Sequence, residues 1–176
     1  MDINWSINQF FSAIRSEVIE LSATFILIIL AAALNGLLAG GSLDTALVKL
    51  PARRRIGALA YATFARGNDL GNGRVVYPVW AISAALLVFL ATAFAFLEKR
   101  PSTLLIPLVI AALLSLIHFF FTSRAAPVML SLRNTPDDAD LLRQKLDRFT
   151  LWHAFRTVFQ ILTFFVLIWA LTLFHT

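Results

Sequence analysis

"TLWHAFRTVFQILTFFVLIWALTLF", residues 150–174, is long and apolar enough to cross a hydrocarbon core, for which an α-helix needs about 20 residues, yet it carries His153, Arg156 and Gln160 where lipid would surround it. Three further runs share its length and character: 21–43, 75–97 and 104–121, with the fourth spanning 151–174. Hydrophobic residues make up 59% of the 176-residue chain, charged residues only 14%, and the mean hydropathy is +0.79. That composition belongs to membrane proteins. The expected fold class is therefore all-α, a four-transmembrane-helix bundle forming one integral membrane domain over residues 1–176. The first 20 residues, "MDINWSINQFFSAIRSEVIE", lack the basic start, apolar centre and small-residue cleavage site of a signal peptide. They read as a short N-terminal interfacial helix with Trp5, Phe10, Phe11 and Ile14 toward lipid.

Orientation follows from the 15 lysines and arginines. Lys49, Arg53, Arg54, Arg55, Arg66 and Arg74 lie between the first two runs, and Arg124, Arg133, Arg143, Lys145 and Arg148 between the last two. The other face has only Arg15, Lys99 and Arg100. Because basic loops remain in the cytoplasm, both termini are expected outside it, and the expected address is a bacterial inner membrane. Anionic lipid at the cytoplasmic face is the partner this charge implies. Nucleic acid is not expected, since no soluble module or aromatic platform accompanies the basic residues. With no cysteine, disulfides, thiolate metal sites and cysteine nucleophiles are excluded.

The connections have their own signals. Thr135 suits an N-cap, Pro136 the first helical position, and Asp137, Asp138 and Asp140 the positive end of a helix. One helix is expected from Pro136 to near Phe174, about 58 Å at 1.5 Å per residue, so that its first third projects into the cytoplasm. Pro51 is expected to bend or end the first helix, and "FARGNDLGNGRVVYP", residues 64–78, reads as a turn entering the second.

Depth then groups the polar residues. Asp44 ends the first run, Tyr77 and Trp80 begin the second, His118 lies a turn or two before the end of the third, and Trp152, His153 and Arg156 begin the fourth. His153, Arg156, Thr157, Gln160 and Thr163 recur at spacings of three and four, as do Ser115, His118 and Thr122, so each set forms a stripe on one helix face. Ala32, Gly36, Gly40 and Asp44 repeat every four residues, a close-packing "GLLAG" face that leads to an acid. Lipid offers these stripes no hydrogen-bond partner, so they must face each other or a cavity.

The candidate site has Asp44, His153 and Arg156 as catalytic groups and Tyr77, Trp80, His118, Trp152 and Gln160 as ligand-binding groups. Asp44 is the acid expected to contact Arg156, directly or through water. Each residue also has a bland role: Arg156 can snorkel or lock the bundle, the histidines can be hydrogen-bonded packing residues, and Tyr77, Trp80 and Trp152 can anchor the interface. His118, His153 and Asp44 formally match a two-histidine, one-carboxylate set, but their spacing does not demand a metal, and neither metal nor cofactor is expected.

The stretch "LNGLLAGGSLDTALVKLPARRRIGALAYATFARGNDLGNGRVVYP", residues 34–78, followed by Trp152 and Arg156, resembles the anthrone oxygenase-like family of small four-helix membrane proteins. The matching positions are Gly36, Gly40, Pro51, Trp152 and Arg156, while Pro127 alone represents the family's proline–asparagine pattern after the third helix. The resemblance implies a four-helix bundle and, from fungal members, oxidation of polycyclic anthrones by molecular oxygen. A shorter stretch, "RGNDLGNGRVVYP", is similar to the start of the second helix in the microsomal glutathione transferase family, with Gly71 where that family has a glutamate.

Three functional classes accommodate these residues. One is an anthrone oxygenase-like oxidoreductase acting on a lipid-soluble aromatic or quinone-like molecule, with His153 or Asp44 as base and Arg156 on the developing oxyanion. Another is a protein that binds such a molecule without chemistry. The third is a structural or accessory subunit of a homo-oligomer or larger membrane complex, the stripes being interhelical hydrogen bonds.

Overall fold

A computed structural model describes residues 22–173, and the expected N-terminal interfacial helix lies outside these residues. Four helical lengths are long and apolar enough to cross a membrane: Ala23–Ile56, Ala58–Leu97, Ser102–Asn134 and Ala139–Thr172. Each extends well past its apolar run. The first is α1 (Ala23–Asp44), a π-helical turn (Thr45–Lys49) and α2 (Leu50–Ile56). The second is α3 (Ala58–Gly67), a π-helical turn (Asn68–Asn72) and α4 (Gly73–Leu97). The third is α5 (Ser102–Ser131), closed by a 3₁₀ turn (Leu132–Asn134), and the fourth is α6 (Ala139–Thr172).

α1 begins where the Ser22 hydroxyl accepts the Phe25 N–H at 3.2 Å, a side-chain cap on an otherwise unpaired donor. Its continuation corrects the expected break at Pro51. In the wide turn the Leu50 N–H reaches back five residues to the Thr45 carbonyl, and Pro51 falls in the first turn of α2, where a missing N–H costs least. The chain bends instead at Gly57, whose φ of 86° is open to a residue without a Cβ. The expected turn over residues 64–78 is likewise helical, apart from a kink at Gly71 (φ −81°, ψ −118°).

α5 runs more than three turns beyond His118, with Pro107 and Pro127 inside it. Packing overrides the proline at 127, because Ala125, Met129 and Leu132 are buried against α6. α6 starts at Ala139, not Pro136: the Asp138 carboxylate accepts the N–H groups of Asp140 and Leu141, both at 2.9 Å. Thr135 instead donates its hydroxyl to the Ser131 carbonyl and accepts from Lys145. At about 1.5 Å per residue the 34 residues of α6 span roughly 51 Å.

The long helices form a ring in the order α1, α4, α5, α6, with α5 and α6 in the most extensive contact and α3 packed on the first part of α6. Two cores result, and their compositions follow from their solvents. Toward the Glu98 end, Ala31, Ala32, Ala91, Ala95, Ala111 and Ala170 are buried beside Ile28, Val88, Leu104, Leu108 and Leu167. Lipid supplies little hydrophobic drive between helices, so small residues that let backbones approach are what hold this half together. Toward the basic end, Leu50, Tyr61, Met129, Leu132, Leu142, Leu146 and Phe149 outweigh Ala62, Ala65 and Ala125 in a core richer in large side chains. Where water reaches, burying each of the large ones is worth roughly 1.5–3 kcal/mol.

Polar clasps hold both ends. Arg66 spreads its guanidinium over the α5–α6 connection, donating to the Leu132 carbonyl (3.0 Å), the Thr135 carbonyl (2.7 Å) and Asp137 (2.7 Å). Arg53 pairs with Asp147 of α6. At the opposite end Glu98 accepts the Thr24 N–H at 3.3 Å and Arg100 Nε at 2.9 Å. Burial there opposes ionisation of Glu98, but the hydrogen bonds from Arg100 and Thr24 outweigh it and hold the carboxyl below the ordinary glutamate value.

Candidate functional site

Between the two cores lies a polar layer with a cavity of about 380 Å³ on one side of it. Its wall draws on all four long helices: Gly41 and Ser42 of α1, Asp69 from the second wide turn, Tyr77 and Trp80 of α4, His118 and Thr122 of α5, and Phe149, His153 and Arg156 of α6. The rest of the lining is mostly apolar, including Leu37, Phe119 and Met129.

The α6 stripe packs inward as its spacing requires. His153, Thr157, Gln160 and Thr163 are buried, and Arg156 is half-buried on the cavity wall. His153 Nε2 lies 3.2 Å from the Ser42 carbonyl, and Arg156 Nε donates to His153 Nδ1 at 3.0 Å. A carbonyl can only accept and a guanidinium can only donate. His153 is therefore the neutral tautomer with its proton on Nε2, and its only lone pair is already held by Arg156. His118 Nδ1 points at the Arg156 carbonyl at 3.0 Å, which fixes its proton on Nδ1, and its Nε2 lies 3.3 Å from the Thr122 hydroxyl. Phe149 stacks on the His153 ring with centroids 5.3 Å apart. The arginine is thus held at Nε by a neutral, doubly anchored imidazole. Among the described residues no carboxylate comes within 4 Å of it, and its terminal nitrogens have no hydrogen-bond partner.

The sequence-predicted residues separate into two groups. Tyr77, Trp80, His118, His153 and Arg156 line one cavity. Asp44, Trp152 and Gln160 do not. Asp44 is exposed and pairs with Lys49 at 2.9 Å, because the wide turn that follows it places that lysine beside it. The expected contact with Arg156 gives way to this local pair. Trp152 packs among the large side chains of the basic-end core and against Phe121, which also stacks on Phe155 and Phe159 along the α5–α6 seam. Gln160 donates to Asn35 Oδ1 at 2.6 Å while Asn35 Nδ2 donates to the Ala31 carbonyl at 2.8 Å, a closed amide pair between α6 and α1. With Asp44 elsewhere, the formal set of His118, His153 and Asp44 is not assembled, and no group of three metal-ligating side chains occurs among the described residues.

The acid on the cavity wall is Asp69, which accepts from Asn68 Nδ2 at 3.1 Å. Its place in "GNDLGNG" reads locally as turn composition, and only the wide helical turn aims it inward. The glycines of the "GLLAG" face also divide. A Cβ on Gly36 would lie 2.9 Å from the Phe164 ring of α6, so this glycine permits the α1–α6 approach. Gly40 and Gly41 have open space beside them, and at Gly41 that space is the cavity. No protein-family model, curated protein or solved structure matches the chain.

Proposed function

We propose that this four-helix membrane protein binds a lipid-soluble molecule bearing an oxygen in the cavity between α1, α4, α5 and α6. The observation that carries the reading is Arg156: it projects from the wall of a largely apolar cavity with its Nε fixed by His153 and its terminal nitrogens unpaired. A guanidinium half-buried in a largely apolar wall favours an acceptor there, and its planar fork matches a ligand oxygen or oxyanion better than any point charge does. The volume falls within the range of roughly 300–1,000 Å³ common for small-molecule sites. His153 serves in this reading as the positioning residue for Arg156 and not as a base, because its one lone pair is occupied. Tyr77 and Trp80 supply aromatic walls, and His118 buttresses the backbone that carries Arg156.

A second reading adds oxidation of the bound molecule, as the anthrone oxygenase-like resemblance implies. It is favoured by one observation, that Asp69 and Arg156 share the cavity and could serve as proton acceptor and oxyanion partner. The basic end is read as cytoplasmic, from its lysines and arginines.

The test is chemical. The protein purified in mild detergent is extracted with organic solvent, and the extract is compared by absorption and mass spectrometry with that from Gly41→Phe, whose new ring would occupy the cavity, and from Arg156→Lys. A small molecule retained by the native protein, absent from Gly41→Phe and depleted in Arg156→Lys at equal thermal stability, supports the reading. Identical extracts from all three would reject it and leave the polar layer as interhelical glue in an accessory subunit.

A further inference from the structure

The cavity is not closed by protein along α4. From Ala84 onward α4 buries Ala84, Ala85, Val88, Ala91 and Ala95, but between Arg74 and Ser83 none of its residues is buried. The kink at Gly71 precedes this first part of the helix and Pro78 lies within it, and bulky Tyr77 and Trp80 stand where the later turns carry alanine. Leu37 of α1, Trp80 and Ile82 of α4 and Leu130 of α5 line the cavity while remaining 62%, 40%, 58% and 49% exposed. An apolar path therefore runs from the cavity to the flank of the bundle. On helices of membrane-crossing length that flank faces hydrocarbon.

Polarity is graded along this path. Arg156 and Thr122 mark one end, and leucine, isoleucine and tryptophan the other. The ionisable residues of opposite sign on the wall, Asp69 against Arg74 and Arg156, leave one positive charge in excess. A leaflet is about 15 Å deep in hydrocarbon, half of the roughly 30 Å core. A 380 Å³ cavity, if compact, is about 9 Å across and cannot enclose a chain of that length. The occupant that fits has a compact anionic head and an apolar chain that stays outside.

Resting on the ligand-site reading above, we infer that the occupant is a single-chain carboxylic acid of the membrane, which enters sideways along α4, places its carboxylate on the terminal nitrogens of Arg156 and leaves its chain in lipid past Trp80. The carboxylate matches the guanidinium fork in two parallel hydrogen bonds. One chain suits a slit that a single helix end holds open.

Trp80 supplies the reporter. A variant with Trp5, Trp152 and Trp169 changed to Phe is placed in phosphatidylcholine vesicles and titrated with 9,10-dibromostearic acid, whose bromines quench indole fluorescence, and in parallel with its methyl ester. The ester carries the same chain and bromines without the charge. The expected result is saturable quenching by the acid at least about tenfold tighter than any by the ester, a difference of about 1.4 kcal/mol. Gly41→Phe removes the saturable component, and Arg156→Gln brings the acid to the level of the ester. Since Gly41 faces open space, its variant carries the test even where Arg156→Gln fails to fold.

Equal quenching by acid and ester in the starting protein overturns the inference, as does saturable quenching that survives Gly41→Phe. Displacement of the acid by adding phosphatidylglycerol to the vesicles also overturns it, because the head would then be a lipid phosphate. A neutral quinone such as menadione, retained by the starting protein and lost in Gly41→Phe while acid and ester behave alike, removes the carboxylate assignment and leaves the ligand site standing.

Discussion

The Asn35–Gln160 pair separates packing from ligand recognition. Both side chains are 3% exposed, the bond from Gln160 Nε2 to Asn35 Oδ1 is 2.6 Å, and the pair joins α1 to α6 next to the cavity without lining it. Gln160→Met keeps the approximate shape and strands the Asn35 oxygen. A buried acceptor left unpaired costs about 1–3 kcal/mol. Interhelical hydrogen bonds in lipid average about 0.6 kcal/mol and reach about 1.7, so the overlap of the two ranges is about 1–1.7 kcal/mol. At roughly 2–4 °C per kcal/mol for a chain of this size, the melting temperature should fall by about 2–7 °C. Gel filtration after heating in detergent, followed by tryptophan fluorescence, measures this directly. Adding Asn35→Leu removes the stranded group, so the double variant should return to within about 0.5 kcal/mol of the native protein. The bound small molecule should stay in the extract of Gln160→Met. A double variant that melts lower by the sum of the two single losses would refute the pairing argument. Loss of the ligand at unchanged stability would return Gln160 to the site.

Three other outcomes are expected. Gly36→Leu drives a side chain into the Phe164 ring and should destabilise by about 1–3 kcal/mol, whereas Gly40→Leu, with open space beside it, should melt close to the native protein. Because the folded pKa of Glu98 is depressed, its contribution is present above the unfolded value of about 4.3 and lost as pH falls through the lower folded value; melting curves recorded down that window should converge for the native protein and Glu98→Gln. Cysteines placed at Asn72 and Asn134, at the basic end, should resist an impermeant thiol reagent in intact cells and react after lysis, and labelling from outside would reverse the orientation.

Periodicity made much of this structure legible. Apolar run length marked the four helices long enough to cross a membrane, and spacings of three and four put His153, Thr157, Gln160 and Thr163 on one face that is indeed buried. Which stripe member meets which partner was not legible, because that depends on rotation about each axis. Asn35, unremarkable in an apolar run, is what takes Gln160 out of the cavity. The acids show the same limit. Asp44 sits at the depth of Arg156 by residue count, but a wide turn gives it Lys49, while Asp69 reaches the cavity from a segment whose glycines and asparagines signal a loop. The end of the third helix was underestimated for a related reason: Met129 and Leu132, buried with Leu142 and Leu146 of α6, sustain helix where composition turns polar and proline intervenes.

The wide turn at Thr45–Lys49 also carries a spare residue. An ordinary helix ties the direction of each residue to every other at about 100° per step, so an inserted residue would swing everything after it by that angle. Here the Leu50 N–H takes the Thr45 carbonyl that the residue four places on would take in an ordinary helix, so the insertion is absorbed as a bulge and α2 keeps its face. Deleting Val48, which is 61% exposed, would close the turn to the ordinary step and leave Leu50 in the basic-end core and Arg53 beside Asp147. The same deletion two turns earlier in α1, where no wide turn absorbs it, should do far more damage, so at this point of the chain the direction of the residues is constrained more tightly than their number.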